Sequence, residues 1–366
     1  DMRIGIPTEI KNNENRVAIT PAGVDELARR GHEVLVQAGA GAGSRIDDED
    51  YAAAGAVIVP DAAEVWGGAD LLVKVKEPIA AEYAHLRSDL TLFTYLHLAA
   101  DRPLTDAIVA SGATAVAYET VQLPDRSLPL LTPMSEVAGR LSIAVGSYHL
   151  LSPQGGRGML LGGVAGARRA HVVVIGGGVA GEHAAANAIG LGAQVTVLDV
   201  NLARLRELEH RYGNALQTGA STRYAIAEAL QSADLVIGSV LIPGAAAPKL
   251  VTDDMVAGMK PGSLLVDIAI DQGGCFEGSH ATTHDAPTFA VHDALYYCVA
   301  NMPGAVPETS TRALTNATLP YVTALADRGW DAAAAADPSL AKGLNVRGGE
   351  VVNAGVAAAL GYAQAD

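Results

Sequence analysis

The sequence is poor in aromatic side chains and in cysteine, and both shortages restrict what the chain can be. Aromatic residues make up 4% of the 366 residues although 49% are apolar, so the cores must be built mainly from Ala, Val, Leu and Ile. The two cysteines, Cys275 and Cys298, have neither the spacing of a zinc site nor the number needed for a disulfide framework. We therefore expect a reducing, cytoplasmic compartment and no bound metal.

Clusters of basic residues and long apolar runs are also missing. The formal net charge is -15 at pH 7, and the acidic residues are scattered along the chain. A nucleic-acid or anionic membrane surface needs clustered Lys and Arg, so we expect neither partner. No uninterrupted apolar run reaches the roughly 18 residues of a membrane-spanning helix. The chain opens on a strand-like run rather than on a secretory leader, so we expect it to stay in the cytoplasm.

Strand-like runs alternate with helical patterns, and this alternation indicates a parallel α/β architecture. In the first third, strands are predicted near 2–7, 33–37, 71–75, 91–96 and 114–118, with helices near 21–31, 47–54 and 101–111. After a helix at 136–151, a second series of strands is predicted at 171–175, 194–199, 234–240, 263–270, 288–292 and 296–300. The second series is continuously apolar, as expected when both faces of a sheet carry helices.

The fold class that follows is α/β, with two Rossmann-like, doubly wound parallel-sheet domains. The long helix at 136–151 joins them, and a cleft is expected between them. A further helix is predicted from about Ser310 to Arg328. The Ala-rich tail 331–366 shows no strand pattern, and composition leaves open whether it packs on the first domain or extends the second.

The sharpest motif is HVVVIGGGVAG at 171–181, a G-x-G-x-x-G sequence between an apolar strand and an Ala-rich helix. Gly176 permits the tight turn, Gly178 lets the backbone approach a pyrophosphate, and Gly181 lets helix and strand pack closely. The amino end of the helix then faces the phosphates with its N–H groups. This context predicts a dinucleotide site.

An acidic residue follows at the place where such a site binds ribose. The next strand, 194–198, ends at Asp199. A carboxylate accepts hydrogen bonds from the ribose hydroxyls and repels a 2′-phosphate, so NAD is the expected cofactor. Arg204 is close in the sequence and leaves some tolerance of NADP open.

Candidates for substrate chemistry follow three strands of the first domain. Arg16 ends a polar loop after the first strand, Lys76 follows the apolar run before Pro78, and His97 ends another apolar strand. Taken singly, they could be a solvated loop charge, a strand-end side chain reaching to water and a core histidine. Taken together, two cations and an imidazole suit a small carboxylate substrate that undergoes hydride and proton transfer.

Further candidates lie in the second domain. Asp271 ends an apolar strand with a Gly-rich turn, where it either faces the cofactor or caps the turn. The segment 299–303 also ends a strand and could reach the nicotinamide. His292 and Asp293 are neighbours on a predicted strand and so cannot form a dyad. Two further residues are ambiguous: His183 is expected on a helix surface, and Ser221 could serve adenosine or only a turn.

Together these segments resemble the alanine dehydrogenase family, from Met2 to about Gly343. That family shares its fold with the NAD-binding subunit of proton-translocating transhydrogenase and, more distantly, with saccharopine-forming enzymes. The segments that carry the resemblance are RIGIPTEIKNNENRVAITPAG, KVKEP, the strand of His97, PMSEVAGRLS, QGGRGMLLGGVAG, DLVIGSVLIPGAAAPKL, LLVDIAIDQGGCFEGS and VANMPGAVPETST.

The resemblance implies roles for individual residues. Arg16 and Lys76 would bind the substrate carboxylate, His97 would be the general acid/base, and Asp271 its acidic partner. The cofactor would contact Ser135, Gly176, Gly178, Val179, Ala180, Gly181, Asp199, Arg204, Ser221, Val240, Leu241, Ile268, Ala269, Ile270, Asp271, Val299, Ala300, Asn301 and Met302. His280 departs from the family, which commonly has arginine there, so its contact with the cofactor is in doubt.

The implied activity is the reversible, NAD-dependent oxidative deamination of L-alanine to pyruvate and ammonia. The family also implies a homo-oligomer such as a hexamer. It implies a discontinuous substrate domain, 1–134 plus about 305–366, and a cofactor domain at 135–304. Alternatives are a transhydrogenase subunit, a saccharopine-type dehydrogenase and a non-catalytic NAD-binding sensor. Lys76 and His97 together, without a membrane extension, argue against the transhydrogenase.

Overall fold

The strands of the protein form two separate sheets, one of eight strands and one of seven. The computed structural model describes residues 1–242 and 246–363. The chain divides into two units: Asp1–Met134 with Gly304–Asp366 (unit 1), and Ser135–Pro303 (unit 2). The predicted α/β fold class, with its two doubly wound sheets, is confirmed.

The first part of unit 1 alternates strands with short helices. Its elements are β1 (Arg3–Ile6), α1 (Pro21–Arg29), β2 (Glu33–Gln37), α2 (Asp48–Ala54), β3 (Val57–Val59), α3 (Ala62–Gly68), β4 (Leu71–Val73), β5 (Thr91–Thr94), α4 (Arg102–Ser111) and β6 (Thr114–Ala117). β3 and α3 were not predicted. β3 is as short as β4, but only Val59 of it is buried, whereas all three residues of β4 are buried.

Unit 2 begins at Ser135, inside the long helix α5 (Thr132–His149). This helix begins and ends earlier than predicted. The further elements of unit 2 are β7 (His171–Ile175), α6 (Val179–Gly190), β8 (Gln194–Asp199), α7 (Leu202–Tyr212), β9 (Leu216–Ala220), α8 (Arg223–Ser232), β10 (Leu235–Gly238), α9 (Asp253–Ala257), β11 (Leu264–Asp267), β12 (Thr288–Val291) and β13 (Ala294–Tyr297).

The chain then returns to unit 1 and adds two strands, which the sequence did not predict. The elements are α10 (Pro307–Ala336), α11 (Pro338–Ala341), β14 (Leu344–Arg347), β15 (Glu350–Val351) and α12 (Ala354–Leu360). The expectation that 331–366 lacks strands was wrong, although residues 364–366 lie outside the described part. β14 forms because it pairs antiparallel with β6, a partner far away in the sequence.

The strand order of unit 1 brings four loops to one edge of the sheet. The order is β15-β14-β6-β5-β4-β1-β2-β3, and β1 to β6 are all parallel. The carboxyl ends of β6, β5, β4 and β1 are therefore neighbours. The chain changes direction across the sheet between β1 and β4, which is where doubly wound sheets place their ligands.

Unit 2 has the strand order of a Rossmann fold, β12-β13-β11-β10-β7-β8-β9, and only β12 is antiparallel to its neighbour. Its crossover point lies between β7 and β10. Along β7, Val172 and Val174 pack into one core cluster whereas Val173 and Ile175 pack into another. Alternate side chains thus fill the two faces of the sheet, which explains the continuously apolar strands.

Three local predictions in unit 2 and α10 need correction. β11 ends at Asp267, and residues 268–272 form a 3-10 helix instead of continuing the strand. His292 has φ of 51° and lies with Asp293 in the turn between β12 and β13, so the pair is not on a strand. α10 extends to Ala336 because the backbone bends at Gly329 and then resumes.

The described ranges, 1–242 and 246–363, contain neither a candidate membrane-spanning helix nor a candidate metal-binding cluster. No helix there has the length and apolarity to cross a membrane. No group of three or more His, Cys, Asp or Glu side chains there is arranged to hold a metal ion.

Candidate active site

The first group of site residues follows the adjacent strands β1, β4 and β5 of unit 1. Arg16 lies in the loop after β1, Lys76 follows β4, and His97 comes shortly after β5. The sheet order makes these three loops neighbours at one edge, although the residues are up to 81 positions apart in the sequence. The structure thus assembles the cations and the imidazole on one side of unit 1.

Arg16 is not the solvated loop charge that its sequence context allowed. Only 3% of the residue is exposed. Its Nε donates to Oε2 of Glu14 at 2.9 Å, and the terminal NH2 nitrogen donates to Oε1 at 2.6 Å. Burial alone would raise the pKa of Glu14, but the hydrogen bonds and charge of Arg16 bring it below the usual value. A planar guanidinium is therefore held in one orientation.

Two lysines follow β4, and the structure gives them different environments. Lys74 is 1% exposed, and its Nζ lies 3.2 Å from Glu9 and 3.3 Å from Glu82. Burial would lower the pKa of Lys74, but Glu9 and Glu82 raise it, so the ammonium stays charged. Lys74 is therefore part of a buried ionic cluster that supports the loop.

Lys76 is half-buried, and its backbone is attached to the same cluster. Oε1 of Glu9 accepts the backbone N–H of Lys76 at 2.8 Å and that of Val75 at 3.2 Å. The Glu9 carboxylate therefore fixes the backbone of Lys76, and with it the position of the Lys76 Cβ. Of the two lysines, Lys76 is the one that is partly exposed to solvent.

His97 is exposed, which excludes the alternative that it is a core histidine. Its backbone is left-handed, with φ of 49° and ψ of 42°. Its N–H donates to Oε1 of Glu119 at 2.8 Å, and its ring lies nearly parallel to that of Tyr95, with 6.1 Å between centroids. A solvent-accessible imidazole held in this way can exchange protons with a small molecule.

The turn between β7 and α6 has the geometry that a pyrophosphate requires. Gly176 has φ of +99°. A Cβ at Gly181 would lie 1.7 Å from the carbonyl oxygen of Gly176, whereas one at Gly178 would meet nothing within 4 Å. The space beside Gly178 is thus open at the amino end of α6, where the first-turn N–H groups, among them those of Val179 and Ala180, have no acceptor within the helix.

Asp199 ends β8 beside this turn. Its Oδ2 accepts the N–H of Gly177 at 2.7 Å, and its Oδ1 accepts the N–H of Asn201 at 2.8 Å. The backbone N–H of Ser221, at the end of β9, donates to the Asp199 carbonyl at 3.0 Å. The carboxylate is half-buried and fixed, and its remaining lone pairs can accept ribose hydroxyls.

Arg204, the candidate for tolerance of a 2′-phosphate, is held by three acceptors of the protein itself. Its Nε donates to the Gly177 carbonyl at 2.6 Å, and its terminal nitrogens pair with Glu182 at 2.6 Å and Glu207 at 2.9 Å. Burial would raise the pKa of Glu182, but Arg211 and Arg204 lower it. Arg204 therefore braces the glycine turn.

The strands beyond the crossover point of unit 2 carry the other predicted cofactor residues. Val240 and Leu241 follow β10, where the hydroxyl of Ser239 donates to the Gly176 carbonyl at 2.8 Å. The residues after β11 and β13, which are paired strands, are linked because Oδ1 of the exposed Asp271 accepts the N–H of Asn301 at 3.3 Å. The same two segments contain the remaining predicted cofactor residues, Ile268, Ala269, Ile270, Val299, Ala300 and Met302.

Comparison with known proteins assigns the chain to a family. The N-terminal domain model of the Alanine dehydrogenase/PNT family matches residues 5–138, and its C-terminal domain model matches residues 142–354. The alanine dehydrogenase of Mycobacterium tuberculosis (strain CDC 1551 / Oshkosh) is 64% identical over 360 residues, which cover 98% of this chain and 97% of that protein. The chain belongs to the alanine dehydrogenase family.

Other relatives support this assignment. The alanine dehydrogenase of Geobacillus stearothermophilus is 56% identical over 98% of this chain and 96% of its own. A solved structure of an L-alanine dehydrogenase has a TM-score of 0.95 at 50% identity, covering 98% and 99% of the two chains. The transhydrogenase structure from Sinorhizobium meliloti gives a TM-score of 0.82 at 28% identity, covering 96% and 99%. The greater identity to alanine dehydrogenases favours that branch over the transhydrogenases.

Two residues that the resemblance singled out have clear surroundings in the structure. Ser135 lies one turn before Gly139 on α5, and a Cβ at Gly139 would lie 2.1 Å from the Ala180 carbonyl oxygen. Ser135 is therefore on the face of α5 that packs against the amino end of α6. His280, where the alanine dehydrogenase family commonly has arginine, is exposed and stacks on Phe289 with 3.9 Å between centroids.

The sequence analysis did not single out the carboxylates that support the candidate site through hydrogen bonds. Glu9, Glu14, Glu119 and Glu182 each accept hydrogen bonds from a residue of the site or from the backbone next to it. A carboxylate in a polar loop has no pattern that separates it from a solvated charge. One signal was available, since Glu14 and Arg16 are two positions apart in the same loop.

Proposed function

We propose that the chain catalyses the reversible oxidative deamination of L-alanine to pyruvate and ammonia, with NAD as hydride acceptor. The observation that carries this proposal is the position of Arg16, Lys76 and His97 after neighbouring strands of one sheet. A carboxylate substrate that must lose a hydride and exchange protons needs two cations and a titratable group together. The high identity to alanine dehydrogenases supports alanine as the substrate.

In the proposed site the substrate carboxylate binds to Arg16 and Lys76. The Glu14 carboxylate holds the Arg16 guanidinium rigidly, so little side-chain freedom is lost when a ligand binds. Lys76 is a point charge whose backbone is fixed by Glu9. It can lie beside the carbonyl oxygen of pyruvate and stabilise charge that develops there. The pair would thus orient the α-carbon as well as bind the acid.

The residues present in unit 2 fit NAD. The open space beside Gly178 suits a pyrophosphate, Asp199 has lone pairs for ribose hydroxyls, and Arg204 is occupied by protein acceptors. The other proposed contacts are Ser135, Gly176, Val179, Ala180, Gly181, Ser221, Val240, Leu241, Ile268, Ala269, Ile270, Asp271, Val299, Ala300, Asn301 and Met302. When bound, the nicotinamide supplies a site that accepts hydride from the α-carbon of alanine.

His97 would carry the protons of the reaction. In the deamination direction the imino acid formed from alanine is attacked by water, and a neutral imidazole takes the proton that this water loses. The same imidazole returns the proton to the nitrogen that leaves as ammonia. Asp271, in the 3-10 helix after β11, would be its acidic partner, as the resemblance implies, and would favour the charged state of the imidazole.

The remaining parts of the proposal follow from the family. Unit 1 would bind the substrate and unit 2 the cofactor, which corresponds to a substrate domain of 1–134 plus about 305–366 and a cofactor domain of 135–304. The protein would act in the cytoplasm as a homo-oligomer, with a hexamer expected, and would need neither a metal, a nucleic acid nor a membrane. Sedimentation or light scattering of the purified chain measures the oligomer size.

The experiment that tests the activity follows NADH absorbance with purified protein. L-Alanine with NAD should produce NADH, and pyruvate with ammonium should consume it. Lysine with 2-oxoglutarate, the substrates expected of a saccharopine-type enzyme, should have no effect. Catalytic efficiency should be much lower with NADP than with NAD, because losing a charge-assisted pair to ribose costs about 1.5–3 kcal/mol. Activity with the lysine pair alone, or equal use of both cofactors, would contradict the proposal.

A further inference from the structure

The Glu119 carboxylate accepts hydrogen bonds from the backbone N–H groups of Leu96 and His97. Its Oε1 accepts the N–H of His97 at 2.8 Å and that of Leu96 at 3.2 Å, and its Oε2 also approaches the N–H of Leu96 at 3.2 Å. One carboxylate therefore satisfies two consecutive N–H groups after β5. No sequence motif joins Glu119 to His97, since they follow different strands.

The backbone held in this way is one that histidine rarely adopts. With φ of 49° and ψ of 42°, His97 is in the left-handed region, where the Cβ of an L-residue is crowded by its own backbone. Such a conformation persists only where the surrounding structure enforces it. Because the chain turns at His97, the N–H groups of Leu96 and His97 both point at one carboxylate. The hydrogen bonds to Glu119 therefore depend on the left-handed conformation of His97 and in turn stabilise it.

The position of Glu119 is itself fixed by its neighbours. Glu119 lies in the 3-10 turn Tyr118–Thr120 after β6. The Tyr118 side chain is completely buried, and its hydroxyl donates to the Lys74 carbonyl at 2.7 Å. On the other side, the hydroxyl of Thr120 donates to the Gly343 carbonyl at 3.2 Å and accepts from Asn345 at 2.9 Å. The turn is thus held between the core of unit 1 and β14.

We propose that Glu119 is a positioning residue for catalysis: it holds His97 in the left-handed conformation that directs the imidazole out of the sheet edge. This inference rests on the proposed role of His97 as the proton-transfer group. Without the carboxylate, residue 97 would relax toward the common extended or right-handed regions, and the ring would move with the Cα–Cβ bond. Proton transfer is sensitive to this movement because it needs hydrogen-bond distance to the reacting atom.

The first test compares Glu119→Ala with Glu119→Gln. We expect Glu119→Ala to lower kcat roughly ten- to a hundredfold in both directions while the affinity for NADH is unchanged, since misplacement by about 1 Å has effects of that size. Glu119→Gln keeps an acceptor oxygen, as a weaker neutral one, and should retain most of kcat. Asp61→Ala is the matched control, because Asp61 also accepts a backbone N–H, at the amino end of α3, and has no contact with His97.

The second test asks whether Glu119 acts through His97. Glycine adopts left-handed backbone freely, so His97→Gly removes the imidazole without strain. If Glu119 only positions that ring, adding Glu119→Ala to His97→Gly should change the residual single-turnover rate by no more than about twofold. A crystal structure of Glu119→Ala should show residue 97 outside the left-handed region. If Glu119→Ala does not fold, Glu119→Asp, which is too short to reach both N–H groups, replaces it in these measurements.

The outcomes separate this inference from the proposed function. If His97→Gly turns over like the wild type, His97 is not the proton-transfer group; its proposed role and the positioning role of Glu119 then both fail, while the proposed activity stands. If His97→Gly is inactive but Glu119→Ala retains full kcat, the proposed function stands and the positioning role is wrong. Further loss of rate in the double variant would show that Glu119 acts independently of His97.

Discussion

At the scale of the residue, three side chains of the candidate site are each held by a carboxylate, although Arg16 is buried, Lys76 is half-buried and His97 is exposed. Glu14 holds Arg16, Glu9 holds the backbone of Lys76, and Glu119 holds that of His97. Burying a carboxylate such as Glu9 is costly: burial raises the pKa of Glu9 although the charge of Lys74 acts to lower it. In compensation, these carboxylates fix the orientation of Arg16, Lys76 and His97, the residues proposed to contact the substrate.

The role of His97 can be tested by its removal. We expect His97→Ala to lower kcat about 10²–10⁴-fold in both directions, because its proposed function is proton transfer. The affinity for NADH, measured by fluorescence titration, should stay the same because the proposed contacts of NADH lie in unit 2. A variant that kept more than about a tenth of the wild-type kcat would remove His97 from the mechanism.

The two cations should respond differently to substitution. Arg16→Lys replaces a planar fork by a point charge and should raise the KM for alanine and pyruvate with a smaller change in kcat. Lys76→Ala should lower kcat as well, because a cation beside the carbonyl stabilises charge in the transition state. Steady-state kinetics of both variants, with an NADH titration of each, distinguishes these effects. If neither variant changes KM for either substrate, the carboxylate binds elsewhere.

At the scale of the element, the contact between β7 and α6 is what makes the glycine turn possible. The strand and the helix approach so closely that a Cβ at Gly181 would overlap the Gly176 carbonyl, and α5 approaches α6 just as closely at Gly139. The first turn of α6 is thus enclosed by backbone on two sides. Small residues are required there by geometry, whatever the ligand.

A single methyl group should therefore disrupt this part of unit 2. We expect Gly181→Ala to reduce NADH affinity at least tenfold and to destabilise the fold by about 1–3 kcal/mol, the usual cost of overpacking. The control is Gly190→Ala at the other end of α6, where a Cβ meets nothing within 4 Å. That change should be neutral or stabilising, since alanine favours the helix over glycine by about 0.5–1 kcal/mol. Thermal unfolding and NADH titration measure both effects, and equal behaviour of the two variants would refute the packing argument.

At the scale of the whole molecule, each unit contains a carboxylate whose pKa is lowered by its partners. One example in unit 1 is Glu14: burial would raise its pKa, but the hydrogen bonds and the charge of Arg16 lower it. One example in unit 2 is Asp234, the residue before β10. Burial would raise its pKa, but the paired Arg168, the N–H of His171 and the nearby Lys260 lower it. Both sites favour the charged carboxylate, and so they favour the folded state at neutral pH.

Stability should consequently fall at acid pH. A carboxyl group whose pKa is lower in the folded state contributes stability above its unfolded pKa, about 4 for Asp and Glu, and loses it as the pH drops through the folded value. We expect the midpoint of thermal unfolding to fall steeply below pH ~4. Asp234→Asn should lower this midpoint at pH 7 and make the acid-induced fall shallower. An Asp234→Asn profile parallel to that of the wild type would contradict this account. Glu9, whose pKa is raised, changes stability with pH in the opposite direction, but it does so equally in both proteins.

Much of this protein could be predicted from the sequence, for reasons that are local. The continuous apolar runs at β7, β8, β10 and β11 indicate buried parallel strands, because alternate residues must fill both faces of a sheet. The spacing of Gly176, Gly178 and Gly181 predicts the turn at α6, because each glycine is needed by a contact within a few residues. The family, and with it the expected chemistry, follows from such segments together.

Other features were decided only by the tertiary structure. β14 and β15 form because β6 offers a free edge, and nothing within 344–351 announces that partner. Lys74 and Lys76 look alike in the sequence, yet one is buried between two carboxylates and the other has access to solvent. His97 is held by Glu119, which follows a different strand. The physical reason is the same in each case: burial and pairing depend on which strands become neighbours, and that order is settled only when the whole sheet has formed.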